Sequence, residues 1–325
     1  MLARVAENLY WMTRYLERAE NTARLINGIT QVVLDLPRGA RFGWDMLINV
    51  VGLDTSFTEQ NDEADENAVM RFLILDPRNP SSILSCIRNA RENTRTFREI
   101  LPAESWERIN GLYLFLQRNA ARTTQGRLQR FEVLSELIER RQSLVGLLLG
   151  SMSVDTAYHF IRLGRNIERA DMSTRIVDVH SAVLLPQTGH AGSTGPEVSR
   201  LWMGTLNALS AYQMYRQYVS VHVRGRQVLE FVLKDPRFPR TVHYCLNELE
   251  ACLKALPDHD TPLAAVRHAR RRLLRANFEK VELQALHARL DDIEADIGAI
   301  HEAVSRQYFQ FHHTPELATE GQAQA

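Results

Sequence analysis

The sequence predicts an all-α protein, a helical bundle formed by two tandem, internally duplicated units packed with pseudo-twofold symmetry. Three observations carry that expectation. Apolar residues recur at steps of three and four, glycine and proline gather at only a few places, and several segments occur twice in the same order. No segment alternates with the period of two that a half-buried strand requires.

The first helix is the clearest element. Leu2, Val5, Leu9, Met12, Leu16, Ala19, Ala23 and Ile26 form a narrow apolar seam along about seven turns. Similar spacing runs through Val133–Leu149 and Leu286–Phe309. Glycine and proline mark connections at Leu36–Gly43, Asp76–Pro80, Leu185–Gly195, Asp235–Pro239 and Pro257–Pro262. Beyond Phe311 the chain turns polar and rich in small residues, so it reads as a flexible tail.

Three matches define the repeat. LERAENTARL at Leu16–Leu25 aligns without a gap on IERADMSTRI at Ile167–Ile176. WDMLIN at Trp44–Asn49 aligns on WMGTLN at Trp202–Asn207, and RFLILDPRNP at Arg71–Pro80 on EFVLKDPRFP at Glu230–Pro239. The offsets are 151, 158 and 159 residues, and one insertion near QTGHAGSTG accounts for most of the drift. Duplication of a unit of about 150 residues follows, with units at 1–152 and 153–312 and a tail at 313–325.

Composition narrows the function. Lysine plus arginine equals aspartate plus glutamate at 39 each, so the formal net charge is zero, which disfavours a broad nucleic-acid footprint. Arginine greatly outnumbers lysine, a bias towards forked, planar ion pairs. Three widely spaced cysteines, Cys86, Cys245 and Cys252, fit free thiols in a reducing compartment. No apolar run approaches the roughly 18 residues that span a bilayer, and the first residues lack the apolar core of a signal peptide. The expectation is a cytoplasmic protein with no membrane or nucleic-acid partner.

The polar residues of the first helix are ordered. Arg14, Glu17, Asn21 and Arg24 step by three, four and three, and so share one stripe away from the apolar seam. Arg18 and Trp11 flank that stripe, and Glu20 lies beside the seam. In the second copy the stripe is Arg165, Glu168, Met172 and Arg175, with Arg169 on the flank and Asp171 in place of Glu20. Arg14–Glu17, Glu20–Arg24 and Asp171–Arg175 have the spacing of intrahelical ion pairs on a solvated face. Against a solvated face, the copies agree best at their charged positions, and every basic residue of the motif is arginine in both. That pattern points to a covered stripe in which fork geometry is used. Two outcomes stand side by side: a site for a carboxylate, phosphate or acidic peptide, or a buried ion-pair network that docks the two units.

The other candidates have structural explanations. D-P-R-x-P is a turn signature, leaving Arg78 and Arg237 as weak site residues. Trp44 and Trp202 open apolar runs and read as core anchors, and Cys86 and Cys245 as small buried hydrophobes. Di-iron, zinc, P-loop and serine-hydrolase motifs are missing, so no catalytic residue, metal ligand or cofactor is expected.

The opening MLARVAENLYWMTRYLERAENTARL, the stretch ENAVMRFLILDPRNPSSILSCIRNARENTR and LGRNIERADMSTRI resemble the bacterial alpha-E family, a helical family with a Glu-Arg motif. The resemblance places that motif at Glu17 and Arg18, and again at Glu168 and Arg169. It implies a circularly permuted ATP-grasp ligase as partner, often with a transglutaminase-like protease nearby. ATP-grasp ligases form amide bonds through acyl phosphates. The chain would then be an accessory subunit, in single copy or as a homo-oligomer, that holds an acidic or peptidic ligand. A stand-alone enzyme with Glu17 or Glu168 as general base, or a purely structural scaffold, are the alternatives. Met172 departs from Asn21 of the first copy, so the two halves need not be equivalent.

Overall fold

A computed structural model describes residues 2–35, 43–61, 63–188, 196–278 and 283–310, and among these there is no strand. The helices run α1 (Ala3–Asp35), α2 (Asp45–Val50), α3 (Asp54–Thr58), α4 (Glu66–Ile74), α5 (Ile83–Thr96), α6 (Ala103–Asn119), α7 (Arg122–Gln125) and α8 (Arg127–Ser151). They continue as α9 (Thr156–Thr188), α10 (Pro196–Ala208), α11 (Tyr212–Tyr218), α12 (Gly225–Lys234), α13 (Val242–Lys254), α14 (Asp260–Arg275) and α15 (Leu283–Tyr308). The expected helical spacings at Val133–Leu149 and Leu286–Phe309 fall on α8 and α15. The tail from His312, and the stretch 189–195 within QTGHAGSTG, lie outside the described residues, as does most of the connection Leu36–Gly43.

Two connections differ in extent from expectation. α9 continues past Leu185 to Thr188. α14 begins at Asp260, so Pro262 sits in its first turn, where a missing N–H forfeits no intrahelical bond.

The two long helices α1 and α9 form the centre, lying against each other along their lengths. Around α1 pack α5, α8 and α10; around α9 pack α13, α15 and α10. The sequence halves interlock, because α10 of the second half lies on α1 while α2 of the first lies on α9. The buried apolar residues form one continuous cluster that draws on both halves. The break between α8 and α9 spans residues 152–155.

At one crossing the two central helices touch through a glycine. A Cβ on Gly164 would sit 2.2 Å from the backbone oxygen of Tyr10 and 2.5 Å from Oγ1 of Thr13. No other residue fits that crossing without displacing α1.

The D-P-R-x-P segments are turns, as their composition implies. In each, the aspartate accepts the backbone N–H two residues on, Arg78 to Asp76 at 2.9 Å and Arg237 to Asp235 at 2.8 Å. The following helices are N-capped by Ser82 and Thr241, whose hydroxyls accept from the N–H groups of Ser85 and Tyr244. Cys86 and Cys245 donate to the carbonyls of Pro80 and Pro239, each at 3.8 Å. Burial pushes both thiols up to about 12, so they are inert and small. Arg78 and Arg237 are exposed beside their own aspartates, and Trp202 is fully buried. No helix among the described residues is long and apolar enough to cross a membrane.

Candidate functional site: a buried arginine–glutamate cluster

The motif stripes of α1 and α9 face each other across the centre of the molecule. Glu17 and Glu168 are both 0% exposed. Each is gripped by the arginine of the other half. Arg18 donates from Nε and Nη2 to both oxygens of Glu168 at 2.5 and 3.0 Å. Arg169 donates in the same manner to Glu17 at 2.8 and 3.1 Å. These are paired forks of the kind only a guanidinium makes, and they are crossed: each half supplies the other's counter-charge.

Beyond that exchange the two sides diverge. On Glu168 the second partner is Arg14, which donates a third hydrogen bond at 2.8 Å, its guanidinium carbon lying 4.7 Å from the Trp11 ring centroid. The expected intrahelical pair Arg14–Glu17 is therefore absent: α9 comes close enough that Arg14 reaches across to Glu168 instead. The corresponding Arg165 makes no hydrogen bond from its buried Nε among the described residues. Its place on Glu17 is taken by Arg141 of α8, which also donates to Glu20 at 2.6 Å.

The asymmetry at Asn21 and Met172 has a matching cause. The residue after the second proline of each turn is Ser81 in the first half and Arg240 in the second. Ser81 accepts from Nη1 of Arg18 at 3.2 Å. Arg240, a cation in the same place, needs acceptors, and finds Glu20 at 2.5 Å and Oδ1 of Asn21 at 2.9 Å. Met172 stands opposite no such cation and is a buried apolar residue.

Glu20 completes the cluster by accepting from Arg24 at 2.7 Å, and Arg24 continues to Ser210 at 2.7 Å. Asp171 and Arg175 pair within α9 at 3.0 Å, and Arg175 also reaches Glu294 of α15 at 3.0 Å. Those two intrahelical pairs follow the sequence spacing. The stripe itself is not a solvated face.

Electrostatics follow from the geometry. Burial alone would raise the Glu17 carboxyl, but Arg141, Arg169 and Arg240 hold it well below the ordinary range. Burial likewise works against Glu168, which Arg18 and Arg14 pull down to about 2, and against Glu20, which Arg141 and Arg240 bring to about 2. The strain appears on the cations. Burial and the neighbouring Arg169 lower Arg165 and bring Arg240 down to about 10. Seven arginines (Arg14, Arg18, Arg24, Arg141, Arg165, Arg169 and Arg240) thus gather round three carboxylates, Glu17, Glu20 and Glu168.

Comparison with known proteins fits this centre. The Alpha-E pattern, described as a predicted alpha-helical domain with a conserved ER motif, matches residues 1–309. The chain belongs to the Alpha-E family. Uncharacterized proteins of Mycobacterium bovis and Mycobacterium tuberculosis are 25% identical to it over 324 aligned residues, covering 91% of this chain. The chain spans only about a third, 35%, of the length of those relatives. No solved structure matches it.

In this Alpha-E chain the ten residues singled out by sequence come together in two groups. Arg14, Glu17, Arg18, Asn21, Arg24, Arg165, Glu168 and Arg169 share the cluster, and Asp171 and Arg175 adjoin it towards α15. Sequence reasoning missed Arg141 and Arg240. Arg141 left a readable trace, because it occupies a core-facing step of α8 between Leu137 and Leu144, both buried. Arg240 left only its place after Pro239.

Proposed function

We propose that this chain is a non-catalytic accessory module that holds an acidic or peptidic ligand for an ATP-grasp amide ligase. The observation that carries the reading is the excess of buried arginine over buried carboxylate. Guanidinium groups withdrawn from water need counter-charges, and the cluster contains fewer carboxylates than cations. An anion supplied from outside would relieve that excess. The longer curated relatives are consistent with a module that works beside a second activity on the same chain.

Within this reading the Glu-Arg motif is the clamp, and the ligand is taken at its margins. Glu17 and Glu168 have every oxygen engaged by arginine forks, and both stay ionised well below neutrality. A carboxylate so held is a poor proton acceptor near pH 7, which weighs against a stand-alone enzyme with either residue as base. The clamp alone would equally serve a structural scaffold. The surplus arginines favour a ligand over a scaffold.

The test is reconstitution. Co-purified with a circularly permuted ATP-grasp ligase, the chain should raise amide formation at least tenfold over ligase alone. A ligase that neither binds the chain nor responds to it refutes the accessory role.

A further inference from the structure

A cavity of about 400 Å³ opens between α1, α8 and α10, at one end of the arginine cluster. Its wall is mixed in a definite way. Arg24 and Arg200 supply two guanidinium groups, Asn27 an amide, and Phe131, Ile138 and Met203 apolar surface. The size suits a small organic ligand. Resting on the binding role proposed above, the geometry points to this cavity as the site for a short peptide or amino-acid derivative with a free carboxylate and an apolar side chain.

Three features support the assignment. Arg24 is only 7% exposed, and it reaches Glu20 at 2.7 Å on one side while lining the cavity on the other, so part of the unbalanced positive charge faces this space. Its Nε and Nη1 are fixed by Glu20 and Ser210, which orients the guanidinium before any ligand arrives. Secondly, the side chain of Asn27 donates to Ser135 at 3.3 Å, but its Oδ1 is buried with no hydrogen-bond partner among the described residues. A buried acceptor without a partner calls for a donor, and a turn of the Asn27 side chain would present it to a peptide N–H or an ammonium group in the cavity. Thirdly, Phe131 is 37% exposed at the rim although it is large and apolar, as a contact for a ligand side chain would be. Carboxylate, N–H donor and apolar group are together the parts of a peptide end.

The cavity exists because α1 and α10 can approach closely beneath it. A Cβ on Gly28 would lie 3.0 Å from that of Ala208, so the helices meet through small residues at its floor.

The experiment uses the full chain with two probes, the dipeptide Gly-Phe and its C-terminal amide, followed by calorimetry and a thermal melt. Gly-Phe should bind, and the amide at least tenfold more weakly. Arg200 and Phe131 are exposed, so Arg200→Glu and Phe131→Ala should leave the melting temperature unchanged while weakening Gly-Phe binding tenfold or more. Equal binding of acid and amide, no binding of either, or undiminished binding in both variants would overturn the site. Undiminished binding in both variants would place the ligand elsewhere and leave the accessory reading intact. Conversely, binding that behaves as expected beside a ligase indifferent to the protein would keep the site and remove the accessory role.

Discussion

At the scale of single residues, the carboxyls divide into two kinds with opposite pH behaviour. Glu17, Glu20 and Glu168 lie below their ordinary value of 4.5 because arginines outweigh burial. Their contribution is present above about pH 4.5 and is lost as pH falls towards 2, where the unfolded chain binds protons that the folded one refuses. Glu294 is the reverse: burial, with Asp171, Asp178 and Asp291 nearby, raises it from 4.5 to about 8 in spite of Arg175. Its contribution is present below 4.5 and drains away as pH climbs through 8. Glu294→Gln should therefore flatten the decline in melting temperature between pH 5 and 8, leaving the acid limb unchanged. An unaltered slope in that window would show that Glu294 titrates normally. The charged residues of the motif were legible because arginine and glutamate recurred at matched positions. Their partners were not: nothing local tells Arg14 to prefer Glu168 to Glu17, since the choice depends on how near α9 lies.

Helices α1 and α9 are the elements on which everything else is arranged, and their separation is set at Gly164. Gly164→Ala would press a methyl group against the Tyr10 carbonyl, which is backbone and cannot rotate aside. Overpacking of this sort costs about 1–3 kcal/mol, and the shift would also lengthen the crossed forks. A melting temperature lowered by several degrees is expected; a neutral substitution would mean that α1 bends freely there. The helices themselves were readable from periodicity, as α8 and α15 illustrate. What periodicity could not supply was the burial of α1 on nearly all sides. A seam and a polar stripe on opposite faces look like an ordinary amphipathic helix until a second charged helix covers the stripe. Arg141 shows the same limit: its core-facing step was visible, but a buried arginine is intelligible only once Glu17 and Glu20 are opposite it.

For the molecule as a whole, the break between α8 and α9 at 152–155 does not separate two self-sufficient bodies. Without the second half, Arg14 and Arg18 lose Glu168, and Glu17 loses Arg169 and Arg240. Removing one partner from a buried ion pair costs about 3–5 kcal/mol, comparable with the whole stability of a small domain. Residues 1–152 expressed alone should give no cooperative melt by circular dichroism, whereas co-expression with 153–312 should yield one soluble complex on gel filtration. A folded, monomeric first half would show that the crossed pairs are dispensable. The order of segments was plain in the sequence, from the paired motifs and turns. The interlocking was hidden, because α10 meets α1 through small residues such as Gly28 and Ala208, which leave no distinctive mark in the sequence.

The crossing at Gly164 has one more consequence. Thr13 and Gly164, which meet there, each precede their motif glutamate by four residues, a little over one turn. The stretch from crossing point to motif is in effect a ruler, cut to the same length in both helices. A single residue inserted within it in either helix would swing the downstream side chains of that helix by roughly 100° and point its two members of the exchange away from their counterparts. Chain length is thus far less negotiable over these four positions than in the surface connections, and sequence drift there should be confined to replacement without insertion or loss.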